Sequence, residues 1–139
     1  MPRLSAVAAL TLALTLAACG ESKEDKAQTA VCSARADIKA QVDELKGMSV
    51  TTGTLDGVQA NLKAIRDSLA KIATARSDLR GERKQEAQKA TQTFKSEVSG
   101  VTQELVKSVS LADGKQQIGA ALDRLASSYQ AAFAPLDCS

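Results

Sequence analysis

RSDLRGERKQE, residues 76–86, decides whether this chain folds as four short helices or as three helices with one long rod among them. Written as helix, the stretch stacks Arg76, Arg80 and Lys84 along one row at i,i+4, and Asp78, Glu82 and Glu86 along another. Like charges at that spacing destabilise a helix by a few tenths of a kcal/mol per pair, and Gly81 in a helix interior costs about 1 kcal/mol relative to alanine. Ser77 and Asp78 have side chains suited to capping a new helix start. Against this, Arg83 with Glu86, and Glu86 with Lys89, are opposite charges at i,i+3 that recover part of the loss. A turn is favoured over a continuous helix.

The apolar pattern on either side points the same way. Upstream, Leu55, Val58, Leu62, Ile65, Leu69 and Ile72 alternate steps of three and four, with Thr54 as N-cap and Asp56 in the electropositive first turn. Downstream, Ala87, Ala90, Phe94, Val98, Val101, Leu105 and Val109 repeat the spacing in a register displaced by an inserted step of four. Further out, Ala34, Ile38, Val42 (or Gln41), Leu45 and Met48 predict a first helix over 31–47, with Gly47 as a left-handed C-cap. Ser110, Leu111, Ala112 and Asp113 match a capping box in its acidic form. Ile118, Leu122, Leu125, Tyr129, Phe133 and Leu136 then mark the stripe of a last helix that Pro135 should stop. The expected fold is all-α, a small antiparallel up-down bundle of four helices. The alternative is three helices, with residues 55–109 forming one rod-like central helix.

At the N-terminus, Arg3 is followed by an uncharged run to Ala18, shorter than the ~20 apolar residues that a transmembrane helix requires. A cleavable signal fits this pattern. Leu16, Ala17, Ala18 and Cys19 resemble the lipobox of bacterial lipoproteins, in which small residues precede a lipid-modified cysteine. An ordinary secretory signal cut after Ala18 is the competing reading. The resemblance implies a signal peptide over 1–18, a mature chain beginning at a lipidated Cys19, and an extracytoplasmic address held by that lipid. In a monoderm the site is the outer face of the plasma membrane. In a diderm, Gly20 in place of an aspartate leaves the protein free to be sorted to the outer membrane. Residues 20–30, GESKEDKAQTA, are polar and charged, and predict a flexible tether over 19–30 ahead of a helical domain over 31–139.

With Cys19 assigned to lipid, Cys32 and Cys138 form an even pair in a compartment where disulfides persist. Closing a loop of that size restrains the unfolded chain by about 4–5 kcal/mol. The pair also bears on topology, because four helices running up, down, up, down return the chain's end to its beginning. A central rod would leave the free ends about 20 Å apart by the 1.5 Å rise per residue, beyond the ~7 Å between Cα atoms that a disulfide spans. A reactive thiol pair would bring the cysteines close in sequence or set one beside a basic activator.

Composition narrows the function. The chain has no His or Trp, one Tyr and two Phe. Histidine general-base catalysis and His-ligated metal sites are therefore excluded, and base stacking on aromatics nearly so. Cleavage after residue 18 removes Arg3 and no acid, taking the net charge from +2 to +1, too little to draw nucleic acid by long-range attraction. Ser and Thr are plentiful, but no nucleophile and base stand at a recognisable spacing, so neither an enzyme nor a cofactor is expected. The expected role is a noncatalytic structural or adaptor module of the cell envelope, in contact with the membrane through its lipid and with an envelope protein partner. Arg76, Arg80, Arg83, Lys84 and Lys89 form a candidate surface for anionic headgroups or a partner, the plainer reading being a solvated turn. A carrier of lipid or another apolar ligand is the alternative, with helices lined by Ala and by Gly100 and Gly119 parting to admit it.

Overall fold

Stripes at steps of three and four fold into four helices: α1, Lys23–Gly47; α2, Leu55–Ala75; α3, Gly81–Ser108; and α4, Gly114–Phe133. The computed structural model describes residues 22–48, 55–108 and 114–138. The proposed signal peptide, Cys19, Thr54, Val109 and the capping box at 110–113 lie outside the described residues. Each helix packs against its neighbours in sequence, and α4 returns to pack against α1, so the four form a closed ring around one core. The fold is the all-α up-down four-helix bundle, and the single-rod alternative is excluded by the break between α2 and α3.

That break is narrower than the charge pattern suggests. A single 3-10 turn, Arg76–Asp78, follows α2 directly, and α3 is already helical at Gly81. Ser77 does not cap the next helix: its hydroxyl donates to the carbonyl of Thr74 at 2.8 Å and closes α2. Leu79 donates its N–H to the Arg76 carbonyl at 3.1 Å and buries its side chain to 2% exposure, sealing this end of the core. Gly81 has φ +56°, a left-handed value that residues with a Cβ rarely adopt. The glycine marks the break by turning the chain into α3. From Glu82 onward the helix tolerates its charge rows, because every side chain from Glu82 to Gln85 is exposed and screened by water.

Two expectations about α1 are corrected. Gly47 is its last helical residue and has no left-handed backbone; the cap is Met48, extended at φ −73° and ψ 130°, whose N–H reaches the Leu45 carbonyl. Residues 23–30, read as flexible tether, are helix. Ser22 is the N-cap and accepts a hydrogen bond from the Asp25 N–H at 3.1 Å. Glu24 and Asp25 sit in the first turn, where the helix dipole favours acids. Ala27 and Val31 continue the buried stripe of Ala34, Ile38, Val42 and Leu45 toward the N-terminus. Burial of that extension, rather than local propensity, supplies the stability that a polar segment lacks by itself.

The predicted stripes otherwise form the core. Val58, Leu62, Ile65, Leu69 and Ile72 of α2, Ala87 to Leu105 of the α3 stripe, and Ile118 to Phe133 of the α4 stripe are all buried. Leu136 joins them from the turn after α4. Among the described residues, Val106 is the one large apolar side chain left exposed.

Candidate functional site

The α1–α4 seam is built around the bond between Cys32 and Cys138, whose Cα atoms are 5.5 Å apart across a sequence separation of 106, inside the span a disulfide accepts. Cys32 lies more than two turns into α1, and Cys138 follows the end of α4 by five residues. The tail between Phe133 and Cys138 therefore runs along α1 and is held to it by side chains. The Gln28 carboxamide donates to the Asp137 carbonyl. Arg35 Nη1 donates to the Leu136 carbonyl at 3.0 Å, and the Tyr129 hydroxyl donates to the Arg35 carbonyl at 3.1 Å. Beneath this latch, Phe94, Tyr129 and Phe133 bring all the chain's aromatic rings together. Phe94 meets the other two edge-on at centroid distances of 5.7 and 5.5 Å, an arrangement that adds about 0.5–1.5 kcal/mol per pair beyond burial.

Burial of the Tyr129 ring raises its hydroxyl pKa above the ordinary value near 10, against the lowering effect of the contact with Arg35. Lys39, on the exposed rim nearby, is held above its usual pKa by its hydrogen bond to Asp43. Between α1 and α4, Cys32, Arg35, Lys39, Tyr129, Phe133 and Cys138 line a groove of about 510 Å³ that is open to solvent. Its floor is apolar and its rim basic. It is a shallow seam, not an enclosed chamber.

The five basic residues of the candidate surface do not form one patch. Arg76 and Arg80 flank the turn beside the start of α1, where Ser22, Lys23, Glu24, Ser77, Asp78, Leu79 and Arg80 surround a small depression. Arg83 sits above it, with Nη1 at 3.9 Å from Glu24 Oε1. Lys84 is exposed on the same turn of α3. Lys89 stands apart, on the α3–α4 seam with Glu86, Ser128 and Pro135. Extension of α1 thus brings Glu24 and Asp25 to an end of the bundle where the stretch 76–89 by itself has five basic residues against the three acids Asp78, Glu82 and Glu86. The turn of residues 76–80 does lie beside the start of α1, as an up-down topology requires.

Gly100 is exposed on α3 and Gly119 is partly exposed on α4, with no atom near enough to meet an added Cβ at either. These glycines line no interior space. Across α3 and α4, Arg124 reaches both oxygens of Glu104 at 2.7 Å and Glu97 at 3.1 Å, and the hydrogen bonds to Glu104 and then Glu97 raise its pKa further. The tail latch and this ion cluster escaped sequence reading. Gln28, Cys32 and Arg35 do share one face of α1 at steps of four and three, which is the one local sign that the cysteine's face carries polar work. Among the described residues, no group of three or more His, Cys, Asp or Glu could hold a metal ion, and no helix is long and apolar enough to cross a membrane.

No protein-family model matches the chain, and no curated protein or solved structure matches it either.

Proposed function

We propose that this protein is a lipid-anchored, noncatalytic helical module of the bacterial cell envelope, held by diacylglycerol on Cys19 and acting as a structural element or an adaptor for another envelope protein. The observation that carries the reading is the Cys32–Cys138 bond. It pairs two of the three cysteines, leaves Cys19 as the odd one, and suits an oxidising compartment outside the cytoplasm. Cys19 is also the residue that the Leu16-Ala17-Ala18-Cys19 sequence resembling a lipobox marks for modification. Beyond the shallow, apolar-floored seams between helices, the apolar stripes are spent on the bundle's own core, so a partner meets mainly charged and small polar helix faces.

Intact-mass measurement of the mature chain from a bacterial host tests the anchor. A mass corresponding to a chain beginning at Cys19 plus a diacylglyceryl group is expected, and Cys19→Ser should release the protein from the membrane fraction. An unmodified mature N-terminus would end the lipoprotein reading. Native mass spectrometry after gentle extraction tests the role: a retained protein partner supports the adaptor, whereas a retained lipid or apolar ligand would favour a carrier.

A further inference from the structure

We infer that the end of the bundle formed by the first turn of α1, residues 76–80 and the first turn of α3 is a membrane-contact face that seats the domain directly on anionic phospholipid headgroups, an inference that rests on the lipid anchor at Cys19. A tether over 19–30 would behave as a coil with an end-to-end distance of about 20 Å and let the domain turn freely. The helix instead begins at Lys23, with Ser22 as its cap. Two residues, Gly20 and Glu21, separate Cys19 from Ser22, and even fully extended these three Cα–Cα steps span no more than about 11 Å. That reach is close to the Debye length of about 8 Å at physiological ionic strength. Charges at this end of the bundle are therefore held where the surface potential of an anionic bilayer still acts.

The face has the chemistry such a surface needs. Residues 22–26 and 76–84 carry six basic and four acidic side chains, and Glu24, one of the four acids, is already engaged by Arg83. Arg80, Arg83 and Lys84 are exposed. Leu79 is buried, and Val106, the large exposed apolar residue, lies toward the far end of α3. A protein hot spot is built around a buried aromatic or apolar anchor, which this face does not present. Basic side chains without such an anchor suit headgroup phosphates instead.

The test uses the full lipidated protein in vesicles of phosphatidylcholine and phosphatidylglycerol doped with a nickel-chelating lipid. One nitroxide is placed by Lys84→Cys and, in a second sample, one by Lys107→Cys, about 35 Å farther along α3 at 1.5 Å per residue. Both sites are exposed. Strong relaxation by headgroup nickel at position 84, and none above background at 107, is the expected result. Equal relaxation at the two sites, or a stronger effect at 107, would overturn the seated orientation. Adding Arg76→Gln, Arg80→Gln and Arg83→Gln should abolish the dependence of the position-84 signal on phosphatidylglycerol while helical circular dichroism stays unchanged. A position-84 signal that stays as strong in pure phosphatidylcholine, or that the charge variant leaves as strong with phosphatidylglycerol present, would overturn recognition of anionic headgroups. Intact mass keeps the two failures apart: a chain without lipid defeats the anchor, and the seat with it, whereas a lipidated chain without the relaxation difference defeats the seat alone.

Discussion

Around Cys32 and Cys138, α1 and α4 are joined by a covalent bond and three side-chain-to-backbone hydrogen bonds, over a cluster of three aromatic rings. Toward the other end, the same bundle relies on Val42, Leu45, Val58, Leu62, Val101, Leu105, Ile118 and Leu122. The directed interactions that accompany them lie mostly on exposed faces, Arg124 with Glu104 and Glu97 and Arg66 donating to Thr102 at 3.2 Å. Nearer the core, Ser108 donates to Gln117 at 3.1 Å, and among the described residues the buried Asn61 Nδ2 has no hydrogen-bond partner. Aliphatic contact is close to isotropic and tolerates small slides of one helix on another, whereas the latch specifies one position of the tail on α1. The first half sets register and resists separation. The second half supplies burial.

Removing the latch should cost the most. Cys32→Ser or Cys138→Ser, or reduction of the bond, is expected to lower stability by up to about 4–5 kcal/mol on the chain-entropy account, with helix content retained below the new transition; thermal unfolding followed by circular dichroism measures both. A variant as stable as the parent would reduce the latch to its hydrogen bonds. Next, Phe94→Ala should cost about 3–5 kcal/mol and Leu105→Ala a smaller amount, near 2–3 kcal/mol. Phe94 is fully buried and loses two edge-on ring partners as well as its volume. Equal losses in urea titrations would erase the distinction between the halves.

Glycines sharpen the comparison at the distal end. An added Cβ at Gly114 would lie 2.0 Å from the Ser108 carbonyl oxygen, a backbone atom that cannot swing aside, so Gly114→Ala should destabilise by about 1–3 kcal/mol. Gly100→Ala meets open space on an exposed helix face and should stabilise by about 0.5–1 kcal/mol. The two melting temperatures should move in opposite directions. The smallest loss of stability belongs to Tyr129→Phe, which removes the bond to the Arg35 carbonyl and should cost about 1 kcal/mol. Its signature is in the pH dependence. The folded-state pKa of Tyr129 is raised by burial above its ordinary 10.0, so its contribution is fully present below that value and is lost as pH rises through the folded one. Unfolding curves between about pH 9 and 11 should fall more steeply for the parent than for Tyr129→Phe. Parallel curves would remove the phenol from the latch's energetics.

Much of this was legible because hydrophobic periodicity is local. The stripe from Val58 to Ile72 needs no knowledge of its partners, and the register shift across residues 76–86 announces two helices where one would keep step. Gly81 was readable as a breaker for the same reason. The start of α1 was harder. Ser22 and Asp25 form a capping pair, but between them and Val31 only one small apolar residue, Ala27, carries the stripe, so composition pointed to a tether. Gly47 misled in the opposite sense: a glycine near a helix end suggests a left-handed cap, and here the chain leaves through an extended Met48 instead.

By itself, then, the sequence determined the four amphipathic helices, the place where α2 gives way to α3, and the pairing of Cys32 with Cys138. Each follows from spacing along the chain, or from the count of cysteines left once Cys19 is set aside. Tertiary structure alone decided that α1 reaches down to Lys23, that Gln28, Arg35 and Tyr129 grip the tail, and that Glu24 meets Arg83 across 59 residues. These depend on contacts between segments far apart in the chain. Local propensity is too weak to order a polar segment, and no local rule states which distant carbonyl a buried side chain will find.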